Sequence, residues 1–512
     1  MLCTQNSLEK YQIGKEDRPM MKYRSTRGDQ QELASADAII RGLAPDRGLY
    51  VPEEIPALPF AVKDMVNEPY TAFAKQIIGA FFDDYTDEEI ESCVSNAYTG
   101  TFEADEIVPV RQAGDAWFLE LYHGRTAAFK DMALSILPYL LTTAVKKEHD
   151  SHEICILTAT SGDTGKAAMA GFADVPGTQI IVFYPNNGVS QVQEQQMRTQ
   201  EGKNVHVFSI EGNFDDAQTG VKSIFNDQDF AAKLDAQGIR LSSANSINIG
   251  RLVPQIAYYV YGYAQLVKQG AIKDGDPVNI TVPTGNFGNI LAAYYAKQMG
   301  LPVNRLICAS NQNKVLTDFL NTGVYNANRE FYQTNSPSMD ILVSSNLERL
   351  LYHLSGDDSK EIASLMQSLE QDRVYEIPDH MKEKLSLFSA GSADMEETDA
   401  AIGEMYKDHN YLMDTHTAVA YHVYEQYRKQ TGDQTPTLTA STASPYKFAD
   451  SVAESIGLPK SENSFRCIDE VEKETGVPIP ASFRGLESRP ILHDHVIKIS
   501  EMKDAVADAL LK

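Results

Sequence analysis

Four short segments carry residue types that could do chemistry. Lys130 stands in Tyr122-His-Gly-Arg-Thr-Ala-Ala-Phe-Lys-Asp-Met-Ala-Leu134, an otherwise apolar stretch that opens a helical pattern. A lysine in such a place ordinarily lays its methylenes on apolar surface and keeps its ammonium in water. Held out of water instead, the amine gives up its proton more readily and becomes a nucleophile able to form an imine. Thr281-Val-Pro-Thr-Gly-Asn-Phe-Gly-Asn-Ile290 follows a β-rich run and opens a helix. Gly285 and Gly288 let the backbone fold close around an anion, and the first N–H groups of the helix point at it, so a phosphate is the natural occupant. The plain alternative is a strand-to-helix turn with Asn289 as the N-cap. Thr158-Ala-Thr-Ser-Gly-Asp-Thr-Gly-Lys166 has the same setting but is no P-loop, because Thr160 stands where the first glycine is required and Ala167 follows Lys166. What remains is a loop, Ser161 to Gly165, whose N–H groups suit a carboxylate, or else an ordinary capped helix start. Leu438-Thr-Ala-Ser-Thr-Ala-Ser-Pro-Tyr-Lys-Phe448 reads as a short strand ending in hydroxyls, or as a surface loop.

These segments need a scaffold that presents strand ends to helix starts. Short β-rich runs alternate with helix-period segments: Ile154 to Ala159 precedes a helix from Thr164 to Phe172, and Gln179 to Tyr184 precedes one across Val189 to Thr199. Val205 to Ile210, Val278 to Val282 and Arg305 to Ser310 continue the rhythm. Such alternation predicts βαβ units and a mainly parallel sheet covered on both faces, with ligands at the carboxyl ends of the strands. The chain divides into a mainly helical unit (1–100, with 1–20 a loose tail or an upstream start before Met20-Met21), an α/β unit (101–270), a second α/β unit (271–460) with a helical insertion near 357–408, and a C-terminal segment (461–512) packing back on the core.

Composition narrows the chemistry. With 45 basic and 71 acidic residues the formal charge is −26, which repels nucleic acid and anionic membrane, so a phosphorylated ligand must be held by local donors. The 43% hydrophobic content suits a soluble globular chain, and no apolar run reaches the length of a membrane span. Five scattered cysteines form no C-x-x-C pair, and His493-Asp-His495 lacks further ligands, so no metal is expected. With no signal-peptide pattern the expected location is cytoplasmic.

Taken in order, the segments resemble threonine synthase, in the branch with an N-terminal helical domain. That family's His-Gly-Pro-Thr-x-x-Phe-Lys-Asp corresponds to His123 to Asp131, its Ser-Gly-Asp-Thr-Gly to Ser161 to Gly165, and its Thr-Gly-Asn-Phe-Gly-Asn to Thr284 to Asn289. Gly42 to Pro52, Asn245-Ser-Ile-Asn248 with Arg251, and Ser441-Thr-Ala443 followed by Pro445, Lys447 and Phe448 extend the likeness over most of the chain. The resemblance implies an α/β fold of pyridoxal-phosphate (PLP) fold type II, with mainly parallel sheets flanked by helices and a small helical N-terminal domain. It implies conversion of O-phospho-L-homoserine and water to L-threonine and phosphate. On it, Lys130 carries the cofactor as a Schiff base and shuttles protons, while Gly285, Asn286, Phe287, Gly288 and Asn289 cradle the cofactor phosphate. Thr442 faces the pyridine nitrogen.

The substrate carboxylate is assigned to Ser161, Gly162, Asp163, Thr164 and Gly165, chiefly through backbone N–H groups. Asp163 would repel it unless turned away, toward the cofactor hydroxyl or an active-site lysine. The substrate phosphate falls to Lys166, Asn245, Ser246, Asn248 and Arg251, since a guanidinium fork suits phosphate; a surface salt bridge is the other reading of Arg251. Three departures stand out: Arg125 for Pro in the lysine motif, Arg47 for Gly in the early turn, and Ser444 with Tyr446 for His and Ala near Thr442. Two other functions stay open on the residues: a PLP-dependent phospho-lyase giving 2-oxobutyrate, and a non-catalytic PLP-binding protein. The chain is expected to act as a monomer or a homodimer.

Overall fold

The computed structural model describes residues 20–511 except Asp105 and Ser161. Two sheets organise it. Five parallel strands lie in the order Val496–Lys498, Val205–Glu211, Thr178–Pro185, Glu153–Ala159, Ile239–Ser242. Six strands lie in the order Phe388–Ser392, Val303–Ser310, Val278–Pro283, Thr437–Ser441, Ala116–Glu120, Val110–Ala113, all parallel except the last pair. Every residue of Val278–Pro283 and Thr437–Ser441 is buried, as expected of parallel strands covered on both faces by crossover helices.

The fold therefore agrees with the alternation read from the sequence, and two of the divisions drawn along the chain differ. Val110–Ala113 and Ala116–Glu120 belong to the six-stranded sheet, so a unit drawn at 101–270 cuts across it. The chain starts that sheet, leaves to build the other, and returns; hydrophobic period reveals strands but not their neighbours. Residues 357–408 are helical in Ser359–Gln371 and Met395–His409, yet they also supply Phe388–Ser392, an edge strand of the six-stranded sheet. Its Gly391 and three serine or alanine residues hide the β signal. In the tail, Val496–Lys498 adds an edge strand, and Met502–Leu510 packs into the core of the five-stranded sheet through Met502 and Val506.

The long helix Ile249–Lys268 packs against the six-stranded sheet through Gly262, beside Leu119 and Leu438, and 18 of its residues are buried. Its N-terminus is capped by Asn248, whose Oδ1 accepts from Gly250 N at 2.9 Å while its Nδ2 donates to Ile39 O at 2.9 Å. The N-terminal helix Tyr70–Phe81 docks farther along, where Tyr261 meets Tyr70 and Phe73 edge to face at 5.6 and 5.3 Å. Arg47 holds a φ of 68°, the left-handed backbone that makes glycine the usual residue in this turn.

Candidate active site

Lys130 stands just ahead of the short helix Asp131–Leu134, in a loop pinned on both sides. Asp131 accepts from Thr126 N at 2.8 Å and from Thr126 Oγ1 at 2.6 Å. A side chain at Gly124 would place its Cβ 2.6 Å from Asp131 Oδ2, so the loop closes only with glycine there. Phe129 N donates to Thr442 O at 2.8 Å, tying the lysine loop to the end of the strand Thr437–Ser441.

The Lys130 side chain is 12% exposed, and its Nζ lies 3.0 Å from Ser338 Oγ and 3.4 Å from Asp163 Oδ2. Burial lowers the amine from its ordinary pKa; Asp163 opposes this, and the charges of Lys447 and Arg251 add to the lowering. Asp163 is the hub. Its Oδ1 accepts from Lys447 Nζ at 3.2 Å and Gln193 Nε2 at 2.9 Å, and its Oδ2 accepts from Ser338 Oγ at 2.8 Å. Burial alone would raise its carboxyl, but the Lys447 and Lys130 charges outweigh that and hold it well below the usual carboxylate range. Asp163 thus faces the active-site lysine, the orientation that spares a carboxylate ligand its repulsion.

The glycine loop has the expected form with one correction. The helix Gly288–Gln298 starts with Phe287 at the N-cap, φ 64°, and no side chain caps it, so Asn289 lies inside the first turn rather than at the cap. The carbonyls of Gly285 and Asn286 are held from behind, by Ser344 Oγ at 2.8 Å and Asn346 N at 3.0 Å. A Cβ at Gly285 would lie 2.6 Å from Ser338 O. Asn289 accepts from Tyr258 and Tyr259 hydroxyls, each at 2.5 Å, while its buried Nδ2 has no partner. An uncapped helix start and an unpartnered buried donor fit an anion.

Thr442 is 4% exposed beside the Lys130 loop, its N–H donating to Thr417 Oγ1 at 3.2 Å. Arg251 is 3% exposed and is no surface salt bridge: Nη1 donates to Ala244 O at 2.8 Å, Nε is buried without a partner, and burial lowers the group to about 10. A desolvated guanidinium with an idle N–H, close enough to depress Lys130, is suited to a second anion.

The other candidates scatter. Ser161 lies outside the described residues. The N–H groups of Gly162 and Gly165 donate to Thr160 Oγ1 at 3.0 and 2.9 Å, which leaves fewer loop amides for a carboxylate than the motif suggested; Thr164 is half-buried between them. Ser246 Oγ accepts from Asn346 Nδ2 at 3.3 Å, Asn245 is exposed, and the Asn248 amide is engaged as the helix cap. The Lys166 amine bonds the Gln200 side chain.

Sequence reading missed several members. Ser338, in the one-turn segment Pro337–Met339, bridges Lys130 and Asp163, and its N–H donates to His416 Nε2 at 3.1 Å. That contact leaves His416 Nε2 without a proton and directs Nδ1–H to Asp414 Oδ2 at 2.9 Å. Lys447 Nζ, with no exposure, also donates to Thr126 O at 2.9 Å. Arg349, fully buried, joins Tyr50 O at 2.9 Å to Asn346 Oδ1 and Ile247 O, each at 2.5 Å. The Phe-Lys-Asp and Lys447 positions had a motif signal; Ser338 and Arg349 lie in segments without one.

Of the three departures, Arg125 is exposed and donates to Ala170 O at 3.1 Å. Ser444 Oγ accepts from Tyr446 N at 3.3 Å, and the Tyr446 hydroxyl donates to Val477 O. Among the described residues there is no group of three or more His, Cys, Asp or Glu side chains fit to hold a metal, and no helix long and apolar enough to cross a membrane. Cys93, Cys155, Cys308 and Cys467 are buried and free; Cys3 lies outside the described residues.

Residues 22–98 match the threonine synthase N terminus family, 108–443 the pyridoxal-phosphate dependent enzyme family, and 417–508 the threonine synthase C-terminal family. Threonine synthase of Pseudomonas aeruginosa is 39% identical over 439 residues, 84% of this chain and 90% of that protein. Threonine synthase-like 1 of Homo sapiens is 40% identical over 436 residues, 83% of this chain, which spans 58% of that longer protein. Among solved structures, PLP-bound threonine synthase from Brucella melitensis superposes with a TM-score of 0.85 at 36% identity, covering 96% of this chain and 100% of that one. Threonine synthase from yeast gives 0.85 at 32%, covering 96% and 99%. With its lysine loop, glycine cradle and both flanking domains matched, the chain belongs to the threonine synthase family of pyridoxal-phosphate-dependent enzymes.

Proposed function

We propose that this chain converts O-phospho-L-homoserine and water to L-threonine and phosphate. The observation that carries the reading is a desolvated amine, Lys130, aimed with Asp163 and Ser338 between an uncapped glycine-flanked helix start and an incompletely paired buried guanidinium. Two anion-seeking positions around one amine suit a phosphorylated cofactor and a phosphorylated substrate.

The residues fit pyridoxal phosphate. Lys130 would bond its aldehyde, the N–H groups from Gly285 to Asn289 would hold its phosphate, and Thr442 would face its ring nitrogen. When bound, the cofactor supplies the electron sink that acidifies carbons next to the substrate amine.

The chain's own groups do the rest. Lys130 Nζ, its pKa lowered by burial, takes protons in turn from the α and β carbons so that phosphate can leave the γ carbon, and returns protons at the γ and α carbons, while water adds its hydroxyl at the β carbon and its remaining proton goes to the departed phosphate. Ser338 and Asp163 keep that nitrogen in one place and accept its hydrogens while it is charged. Lys447 lowers the proton affinity of Asp163, so the carboxylate is too weak a base to compete with Lys130 for the substrate's protons. Arg251, with Ser246 nearby in the preceding loop, binds the substrate phosphate and stabilises it as it leaves. A hydroxyl at Thr442, in place of a carboxylate, would leave the cofactor's ring nitrogen largely unprotonated and so restrain the electron sink.

Supplying the PLP-loaded protein with O-phospho-L-homoserine and identifying the products tests this. Threonine and phosphate in equal amounts support it. Phosphate with 2-oxobutyrate, the phospho-lyase outcome, overturns it.

A further inference from the structure

A second cavity, of about 500 Å³, opens between the helices Asp163–Phe172 and Gln191–Arg198 and the C-terminal segment at 482–492. Neither Lys130 nor Asp163, Ser338, Thr442, Lys447 or the 285–289 loop lines it. Its wall carries three cations, Arg125, Lys166 and Arg489, against two carboxylates, Asp174 and Glu201. The carboxylates are exposed, whereas Lys166 is 8% exposed.

The cations are not matched to those acids. Lys166 Nζ donates to the Gln200 side chain, Arg125 Nη1 to Ala170 O at 3.1 Å, and Arg489 Nη2 to Ala481 O at 2.7 Å and Arg484 O at 3.1 Å, all neutral acceptors. The wall also includes Gln196, 1% exposed, whose Nε2 and Oε1 both lack a partner in the protein. A buried amide with two unmet hydrogen bonds is costly unless something at the cavity completes it.

The geometry points to a binding site for a small phosphate-bearing anion in this cavity, held by Arg125, Lys166 and Arg489 and completed by Gln196. Three cationic groups from three chain segments converge there, the arrangement that binds phosphate most strongly because each bond is charge-assisted. Burial and the nearby Lys447 charge lower Lys166 to about 7, with Asp131 opposing, and an anion bound beside it would favour its charged form. The site is separate from the proposed substrate position at Arg251, so it stands or falls independently of the reaction.

Titrating inorganic phosphate into the PLP-loaded protein by calorimetry tests it, with wild type, Arg251→Ala and the double variant R125A/R489A. Two sites are expected in wild type, one lost in R251A and the other weakened at least about tenfold in R125A/R489A. Arg125 and Arg489 are exposed, so the double variant should fold; Arg489→Glu alone provides a second check and should weaken the same site. Phosphate should also slow acylation of Lys166, read by mass spectrometry, in R251A as much as in wild type. A single site removed by R251A, or phosphate binding unchanged in R125A/R489A and R489E with no protection of Lys166, overturns the inference.

Discussion

Removing Lys447 probes the centre of the site without touching the amine that reacts. Its ammonium, wholly buried, lies 3.2 Å from Asp163 Oδ1 and 2.9 Å from Thr126 O. Breaking a buried pair by deleting one partner costs about 3–5 kcal/mol, because a charge stays behind in low dielectric. Asp163 keeps Ser338 at 2.8 Å, Gln193 at 2.9 Å and Lys130 at 3.4 Å, so Lys447→Met belongs at the low end, about 3 kcal/mol. Asp163→Asn leaves Lys447 with one carbonyl and should cost about 3 kcal/mol. The double variant replaces the pair with neutral groups and should be more stable than the summed singles by about 2 kcal/mol or more. Urea unfolding of the cofactor-free proteins measures this. Trp117, the only tryptophan, lies on the strand paired with Thr437–Ser441 and reports locally, and circular dichroism reports globally. Since the folded state depresses Asp163, its contribution is complete above the ordinary carboxylate value and fades as pH drops below about 4, so the advantage over D163N should shrink there. Single-variant losses that simply add would refute the coupling.

Three more expectations follow from the same geometry. Arg251→Ala should raise KM for O-phospho-L-homoserine by roughly tenfold to a hundredfold, the value of a charge-assisted bond of about 1.5–3 kcal/mol; an unchanged KM in steady-state kinetics removes Arg251 from the site. Gly285→Ala pushes a methyl to within 2.6 Å of Ser338 O and should weaken PLP at least about tenfold in an absorbance titration, with unchanged affinity as the contrary result. Lys166, lowered to about 7 in the fold, disfavours its charged form, so wild type should gain on Lys166→Met as pH rises from 7 toward 10, by on the order of 1 kcal/mol per unit. A pH-independent gap between the two in denaturant melts would mean that the amine keeps its usual basicity.

What the sequence made legible is what periodicity and local motifs encode. Glu153–Ala159 and Val278–Pro283 are rich in β-branched and apolar residues, and each leads into a glycine-bearing loop, so the Asp163 and Gly285 segments could be picked out singly, as could Lys130 from its apolar helix start. Their mutual placement could not. Ser338 reaches Lys130 across 208 positions of chain from a one-turn segment with no period. Phe388–Ser392 lacks apolar bulk because it is an edge strand with only Phe388 buried, so its sequence carries no strong β signal. Asn248 has the residue type of a phosphate ligand, but an asparagine before a helix is also its natural cap, and only the distances to Gly250 and Ile39 decide between them. Lys166 belongs to the motif by sequence and to another cavity by side-chain direction.

Reducing the PLP-loaded protein with borohydride and mapping the modified peptide tests the central assignment most directly. The pyridoxyl group should be recovered on Lys130 in stoichiometric yield and be absent from Lys130→Ala. Recovery on Lys166, Lys447 or any other lysine, with Lys130 unmodified, would contradict the account.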